Sequence, residues 1–241
     1  MLISTLRATR ALCAAFALCV IALWIHPCCA QSATSPDTAR QDQRIADRFQ
    51  EWLLDQCARH PMFSSSLGNH DHDHELDDLS PEARARDLEN DRAVLRELET
   101  QIDKSQLSRN AQIDLEIWQH TLKYRIWQAA NSDDFANDPR IYLTYASDSV
   151  FTLLTQSTLP KHRNVENSAQ RIAKIPQVVE AAKKSIGKPP KILTEIAIKR
   201  TEGAIAFYES DIFTLADESP HLSILKQPAI SAVASLKEFK R

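Results

Sequence analysis

Glycine is almost missing from this chain, with 3 among 241 residues. Tight hairpin turns need backbone at positive φ, which glycine supplies most readily, so the scarcity speaks against a β-rich fold. Cysteine is scarce where it would matter. Cys13, Cys19, Cys28 and Cys29 fall in the first 30 residues, which leaves Cys57 alone in the remainder and without an internal disulfide partner. Cys57 sits in an apolar helical register and is expected to be packed rather than reactive. A basic stripe is also missing. The first 30 residues hold Arg7 and Arg10 and no acid, so the rest carries 27 basic against 32 acidic side chains, a net charge of −5. That balance excludes nucleic acid as an expected partner. There is no G-x-S-x-G elbow, no phosphate-binding loop and no dinucleotide fingerprint, and no internal repeat or low-complexity tract.

What is there begins with export. Arg7 and Arg10 precede an uncharged apolar run, Ala11 to Ile25, and Pro27 leads to a small-residue end, Cys28-Cys29-Ala30. Residues 1–30 therefore read as a secretory signal peptide cleaved after Ala30, with a secreted or periplasmic destination and only transient membrane contact. The alternative is an N-terminal membrane anchor. The run falls short of the roughly 20 apolar residues that a spanning helix needs. Cys28 and Cys29 follow Pro27 rather than a leucine and small residues, which argues against lipid attachment.

Residues 31–42 are polar and read as a flexible linker. Residues 43–241 read as one all-α domain, an irregular array of about seven helices, one of them interrupted by proline. Ile45, Phe49, Trp52 and Leu53 form one stripe from about Gln43 to Arg59, ended by Pro61. Ser80-Pro81-Glu82 starts a second helix, to about Ile102; its charged residues, Arg84 among them, read as a solvated face. Ser108 starts a third, to about Gln128, apolar on more than one side and therefore expected to be central, with Trp118 and Trp127 in the core. A fourth follows Asp138-Pro139, from about Arg140 to Gln156. The fifth, about Arg163 to Ile186, should break at Pro176. The sixth, about Ile192 to Ala216, holds Gly203, which costs about 1 kcal/mol relative to alanine and is expected to allow close approach of another helix. A last helix from near Pro228 presents Ala229, Val233, Leu236 and Phe239 on one face, and is expected to leave an apolar seam open to self-association.

The residues with most chemistry lie between Pro61 and Pro81. His70, His72 and His74 alternate with Asp71, Asp73 and Glu75. Imidazole and carboxylate are the ligands that Zn²⁺, Ni²⁺ or Cu²⁺ take, so His70, His72, Asp73 and His74 form a weak candidate metal loop. The plainer reading is a solvated polar turn around Gly68-Asn69. His74-Glu75 opens like a zincin motif, but the second histidine that such a motif needs at i+4 is Asp78 here. No catalytic or cofactor-binding residue is assigned.

Several pieces then occur in order: Phe49-x-x-Trp52-Leu53, Pro61, and Leu67-Gly68-x-His70-x-x-Asp73-x-x-Leu76-x-Asp78-x-Ser80-Pro81-Glu82-Ala83. Further on come Asp138-Pro139-x-x-Tyr142, Arg171-Ile172-x-x-Ile175-Pro176, Pro189-Pro190, Ala197 and Gly203. Over about residues 45 to 241 the chain resembles the bacterial domain-of-unknown-function family 885. The resemblance implies a helical, often exported protein, roughly twice this length or more, similar to zinc metallopeptidases through a His-Glu-x-x-Pro-Gly-His motif in its C-terminal half. This sequence ends before that motif. The expectation is an N-terminal half that is not catalytic alone and holds no cofactor, zinc belonging to the missing half. Its partner would be a separately encoded C-terminal half or a second copy. A stand-alone helical binding or scaffold module, using the His70–Glu75 loop, is the alternative.

Overall fold

Serine and proline start the main helices of the first half. In the computed structural model, which describes residues 35–216 and 221–241, the Ser35 hydroxyl accepts from the Thr38 N–H and Pro36 fills the first turn. Asp37 adds negative charge at the positive end of the dipole, and α1 runs over Pro36–Arg59. The linker expected over 31–42 is thereby corrected. From Pro36 onward it is helix, because Ser-Pro-Asp is a start signal rather than a loop signal. Residues 1–30, read as the signal peptide, lie outside the described residues, as do 31–34.

Pro61–Ser66 forms the short α2, separated from α1 by His60. Ser80 caps α3, Pro81–Thr100, and Ser108 caps α4, Arg109–Asn131. Helices α3 and α4 are antiparallel: Arg125 Nε lies 2.9 Å from Asp91 Oδ2 at one end, and Gln119 donates to the Leu98 carbonyl towards the other. Helix α1 lies against both, with Arg48 making two 2.9 Å bonds to Glu97 on α3 and Asp42 accepting from the Ser108 N–H. The core of this layer is an aromatic cluster, Phe49, Trp52 and Trp118, with ring centroids 5.2 to 5.6 Å apart. Cys57 is buried, as its register requires. Trp127, expected in the core, is instead 60% exposed and stacks on Tyr124. Helix α4 is thus not central: one stripe, Ala111, Leu115, Trp118 and Leu122, is buried and the others face out.

The second layer is longer and more broken. It comprises α5 (Asp134–Asn137), α6 (Arg140–Leu143), α7 (Ser149–Thr155), α8 (Lys161–Ala173), α9 (Ile175–Ser185), α10 (Lys191–Ala206), α11 (Ile212–Leu215) and α12 (Lys226–Phe239). Wide i→i+5 turns, Thr144–Asp148 and Phe207–Asp211, bridge α6 to α7 and α10 to α11. The two turns meet: the fully buried Tyr208 hydroxyl donates to the Ala146 carbonyl. Lys174 breaks the fifth segment and Pro176 takes the first turn of α9, where its missing N–H costs nothing.

Two expectations fail here. The face of α12 is not an open seam: Ala229, Ala232 and Leu236 are buried against α8, α9 and α10, and Val233 and Phe239 pack at the margins. Gly203 is not a close-approach site, since a Cβ there would meet nothing within 4 Å. It lines a shallow surface recess with Asp148, Phe151, Arg200 and Phe207. The fold class is as read: all-α, with no strand among the described residues.

Candidate functional site

The loop after α2 turns on Gly68, at φ 77°, the left-handed region that glycine enters without a Cβ penalty. The turn returns the chain so that Asp73 is completely buried. One Asp73 oxygen accepts from the Ser65 hydroxyl at 2.5 Å, the other from His70 Nδ1 at 2.8 Å. The other ring nitrogen, Nε2, forms a 3.0 Å hydrogen bond with the Thr158 hydroxyl on the far layer.

Under this loop lies Arg171 of α8, 1% exposed. Its guanidinium donates to the carbonyls of Glu75 (2.7 Å), Ser149 (2.9 Å) and Pro61 (3.3 Å) and to Ser65 Oγ (2.7 Å), with Asp73 Oδ1 at 3.9 Å. Burial lowers its pKa, and Asp73 and Asp77 oppose that shift. One planar five-donor group therefore ties α2, the loop and the wide-turn helix to α8. The loop is neither the solvated turn nor the metal loop of the sequence reading. Both nitrogens of His70 and both oxygens of Asp73 already have protein partners. His74 points away, 44% exposed, with Nε2 3.4 Å from Glu75. The His72 carbonyl accepts from the Glu75 N–H at 2.9 Å, a turn within the loop. These donors do not fit a zinc ion, and no group of three His, Cys, Asp or Glu side chains among the described residues could hold one.

A cleft of about 400 Å³ opens beside the loop, between His60, the 77–79 segment, α3, the end of α4, α5 and Tyr145. Asp77, Asp78, Asp87, Asp91, Asp133 and Asp134 line it, against Arg84 and Arg125. Most of these are tied. Asp77 accepts from the Met62 N–H at 3.0 Å, Asp87 pairs with Arg59, and Asp134 accepts from Gln128 at 3.1 Å. Arg84 lies 4.2 Å over the Phe135 ring. His60 sits between carboxylates, Nδ1 3.7 Å from Asp77 and Nε2 3.5 Å from Asp87, too far for either to be a hydrogen bond. Asp91 is 3% exposed, and burial, opposed by Arg125, raises its carboxyl above the usual range. Burial also pushes the Tyr145 phenol well up, reinforced by Asp77 and Asp87.

The sequence reading assigned none of the cleft. A signal was present: Arg84, Asp87 and Asp91 stand at i, i+3 and i+7, one charged stripe beside the apolar stripe of Ala83, Val94 and Leu98. Arg171 was equally visible as a charge inside the stripe of Val165, Ser168, Ala169 and Ile172. On the opposite side of the first layer an apolar groove of about 670 Å³ runs between α1, α2 and α4.

A helical array held by one buried arginine, with a proline-started α9 and a locked His-Asp loop, defines the class of protein. Over residues 61–239 the chain matches the model of a family described as bacterial proteins of unknown function (DUF885), and it belongs to that family. No curated protein matches it. It is similar to the solved structure of a candidate lipoprotein of unknown function from Shewanella oneidensis, with a TM-score of 0.71 and 19% identity, over 84% of this chain and 36% of that one. At that identity the likeness shows the fold, and the chain spans about a third of the longer protein's length.

Proposed function

We propose that this chain is the exported helical half of a peptidase-like DUF885 unit and does not catalyse alone. The observation behind the reading is the pair of matches taken together. They account for most of this chain, yet for 36% of a longer chain of the same fold. The zinc that the family resemblance implies belongs to the other part, because the donors gathered here are already engaged. What this half supplies is a rigid wall: Arg171 holds the loop, and the loop forms one side of the acidic cleft. Export rests on the N-terminal layout. The description of the similar structure as a candidate lipoprotein fits a destination outside the cytoplasm, and no helix among the described residues is long and apolar enough to cross a membrane.

Two measurements test this. N-terminal sequencing from the native host should begin at Gln31; soluble cytoplasmic material starting at Met1 would refute export. The purified chain with added zinc should hydrolyse no peptide, whereas chelator-sensitive turnover that survives further purification would refute the half-unit reading. A neighbouring reading frame encoding His-Glu-x-x-Pro-Gly-His would identify the partner. The second reading, a stand-alone binding module, has its own support in the unsatisfied polar atoms of the cleft.

A further inference from the structure

Seven buried side-chain polar atoms among the described residues lack a hydrogen-bond partner, and three gather at one place: His60 Nε2, Gln56 Nε2 and Asp91 Oδ1. Gln56 and Asp91 are each 3% exposed. Arg125 joins them, donating to Gln56 Oε1 at 2.9 Å and lying 2.9 Å from Asp91 Oδ2. That leaves Asp91 Oδ1 buried without a donor, on a residue that lines the cleft. A buried carboxylate oxygen left without a donor is costly, and such atoms are usually satisfied by water, an ion or a ligand.

Charge decides among these. Six carboxylates line the cleft with Arg84 and Arg125; Arg59 and Arg86 reach Asp87 and Asp78 from outside it, which still leaves the carboxylates in excess. A water molecule could bond Asp91 Oδ1 but would leave that imbalance untouched. A bare metal ion has no set of three ligands to hold it. A cationic group carrying N–H donors meets both needs at once. It would donate to Asp91, lie near Asp77 and Asp87, and rest against the Tyr145 ring.

We infer that the cleft between α3, α4, α5 and the 77–79 segment binds an organic cation with N–H donors, the amino terminus or a basic side chain of a peptide, through the unpartnered oxygen of Asp91. The inference does not rest on the half-unit reading, since binding needs neither zinc nor turnover. The test is calorimetric titration of the mature chain with four probes: Ala-Ala amide, its N-acetylated form, Nα-acetyl-lysine amide and Nα-acetyl-arginine amide. Ala-Ala amide or one of the two side-chain probes should bind with Kd of about a millimolar or tighter, and the uncharged acetylated peptide should not. The probe that binds identifies the source of the cation. D91N should weaken it by about tenfold or more, the loss expected for a hydrogen bond to a charged group. Ala129, exposed at the mouth of the cleft, gives a second variant: A129W should block entry without touching the charged network. D114N, on the opposite groove, should change nothing. If D91N does not fold by circular dichroism, A129W decides. Equal binding of the acetylated peptide, no binding of any cation, or binding that survives A129W would overturn the inference.

Discussion

The two layers of the molecule treat apolar surface differently. In the second, α12 carries a strong apolar face, and α8, α9 and α10 meet it, so that Ala232 and Leu236 reach zero exposure. In the first, α1 and α4 pack on α3 from one side, and on the other side only the short α2 lies near one end of them. Phe49, Phe63, Leu67 and Ile117 stay 40 to 59% exposed around the groove. Helices α1, α3 and α4 are more polar on average than α9, α10 and α12. Their large apolar side chains on the groove side also have fewer neighbours, so helix pattern and packing act together in deciding what is buried. Two kinds of contact join the layers, an apolar cluster of Leu79 with Tyr142, Val178 and Ala182 and the polar anchor at Arg171, and the sharpest tests of the comparison act on the anchor first.

Arg171 should give the largest effect. Its removal strips donors from three carbonyls and leaves Asp73 buried without a cation. R171A is expected to cost about 3–5 kcal/mol, the range for breaking a buried charge pair from one side. Urea unfolding checks it. R171K keeps the charge but not the planar fork and should recover less than half of the loss. A variant within 1 kcal/mol of wild type would mean that the layers are joined mainly elsewhere.

The histidines of the loop come next, and they should separate. His70 bridges buried Asp73 to Thr158 across the layers, so H70A should cost about 1–3 kcal/mol through the orphaned Asp73 oxygen. His72 and His74 bridge nothing, and H72A and H74A should each stay within about 0.5 kcal/mol. Equal effects at all three would return the loop to the solvated turn of the sequence reading.

Two carboxylates of α3 should respond to pH in opposite senses. The Arg48 hydrogen bond holds Glu97 below the usual range. Its stabilisation is therefore present above the unfolded carboxylate pKa and is lost as pH falls through the folded value. Burial raises Asp91, so its contribution is present below the unfolded value and is lost as pH rises through the folded one. Across a window that brackets the ordinary carboxylate pKa of about 4, D91N should gain on wild type as pH rises above that value, while the deficit of E97Q should shrink as pH falls below it. Melting temperatures measured across that window decide it, and parallel curves for the two variants would contradict the assignment.

How far the sequence goes depends on the element. Helix starts were legible at Ser80-Pro81 and Ser108, because capping is local chemistry. The same chemistry at Ser35-Pro36 was overridden by a polar composition that resembles a linker. The break at Pro176 was legible for the same local reason. Gly203 was not, since the space beside a helix is set by distant residues. The cleft was the least legible part. His60, Asp77 and Asp91 come from three segments, and no spacing rule links them. Asp73 and His70 were visible as chemistry, but Arg171, about a hundred residues on, turned their role from coordination to anchoring.

The smallest effect on stability should come from the groove, where the comparison of layers is most exposed to failure. Ile117 is 59% exposed on α4, next in sequence to Trp118 of the aromatic cluster. Serine there removes apolar surface that already faces water, so I117S should shift stability by no more than about 0.5 kcal/mol. The contrasting site is Leu236 on α12, fully buried among α8 and α10 neighbours, where L236A should cost about 2–5 kcal/mol through lost transfer energy and cavity. The two variants should reverse their order when binding of a hydrophobic dye by the folded chain is measured. I117S should lower it, because the groove is the large apolar recess, whereas L236A should leave it unchanged under folding conditions. If I117S destabilises as much as L236A, α4 has a neighbour on its outer face in solution, and the first layer is as closed as the second.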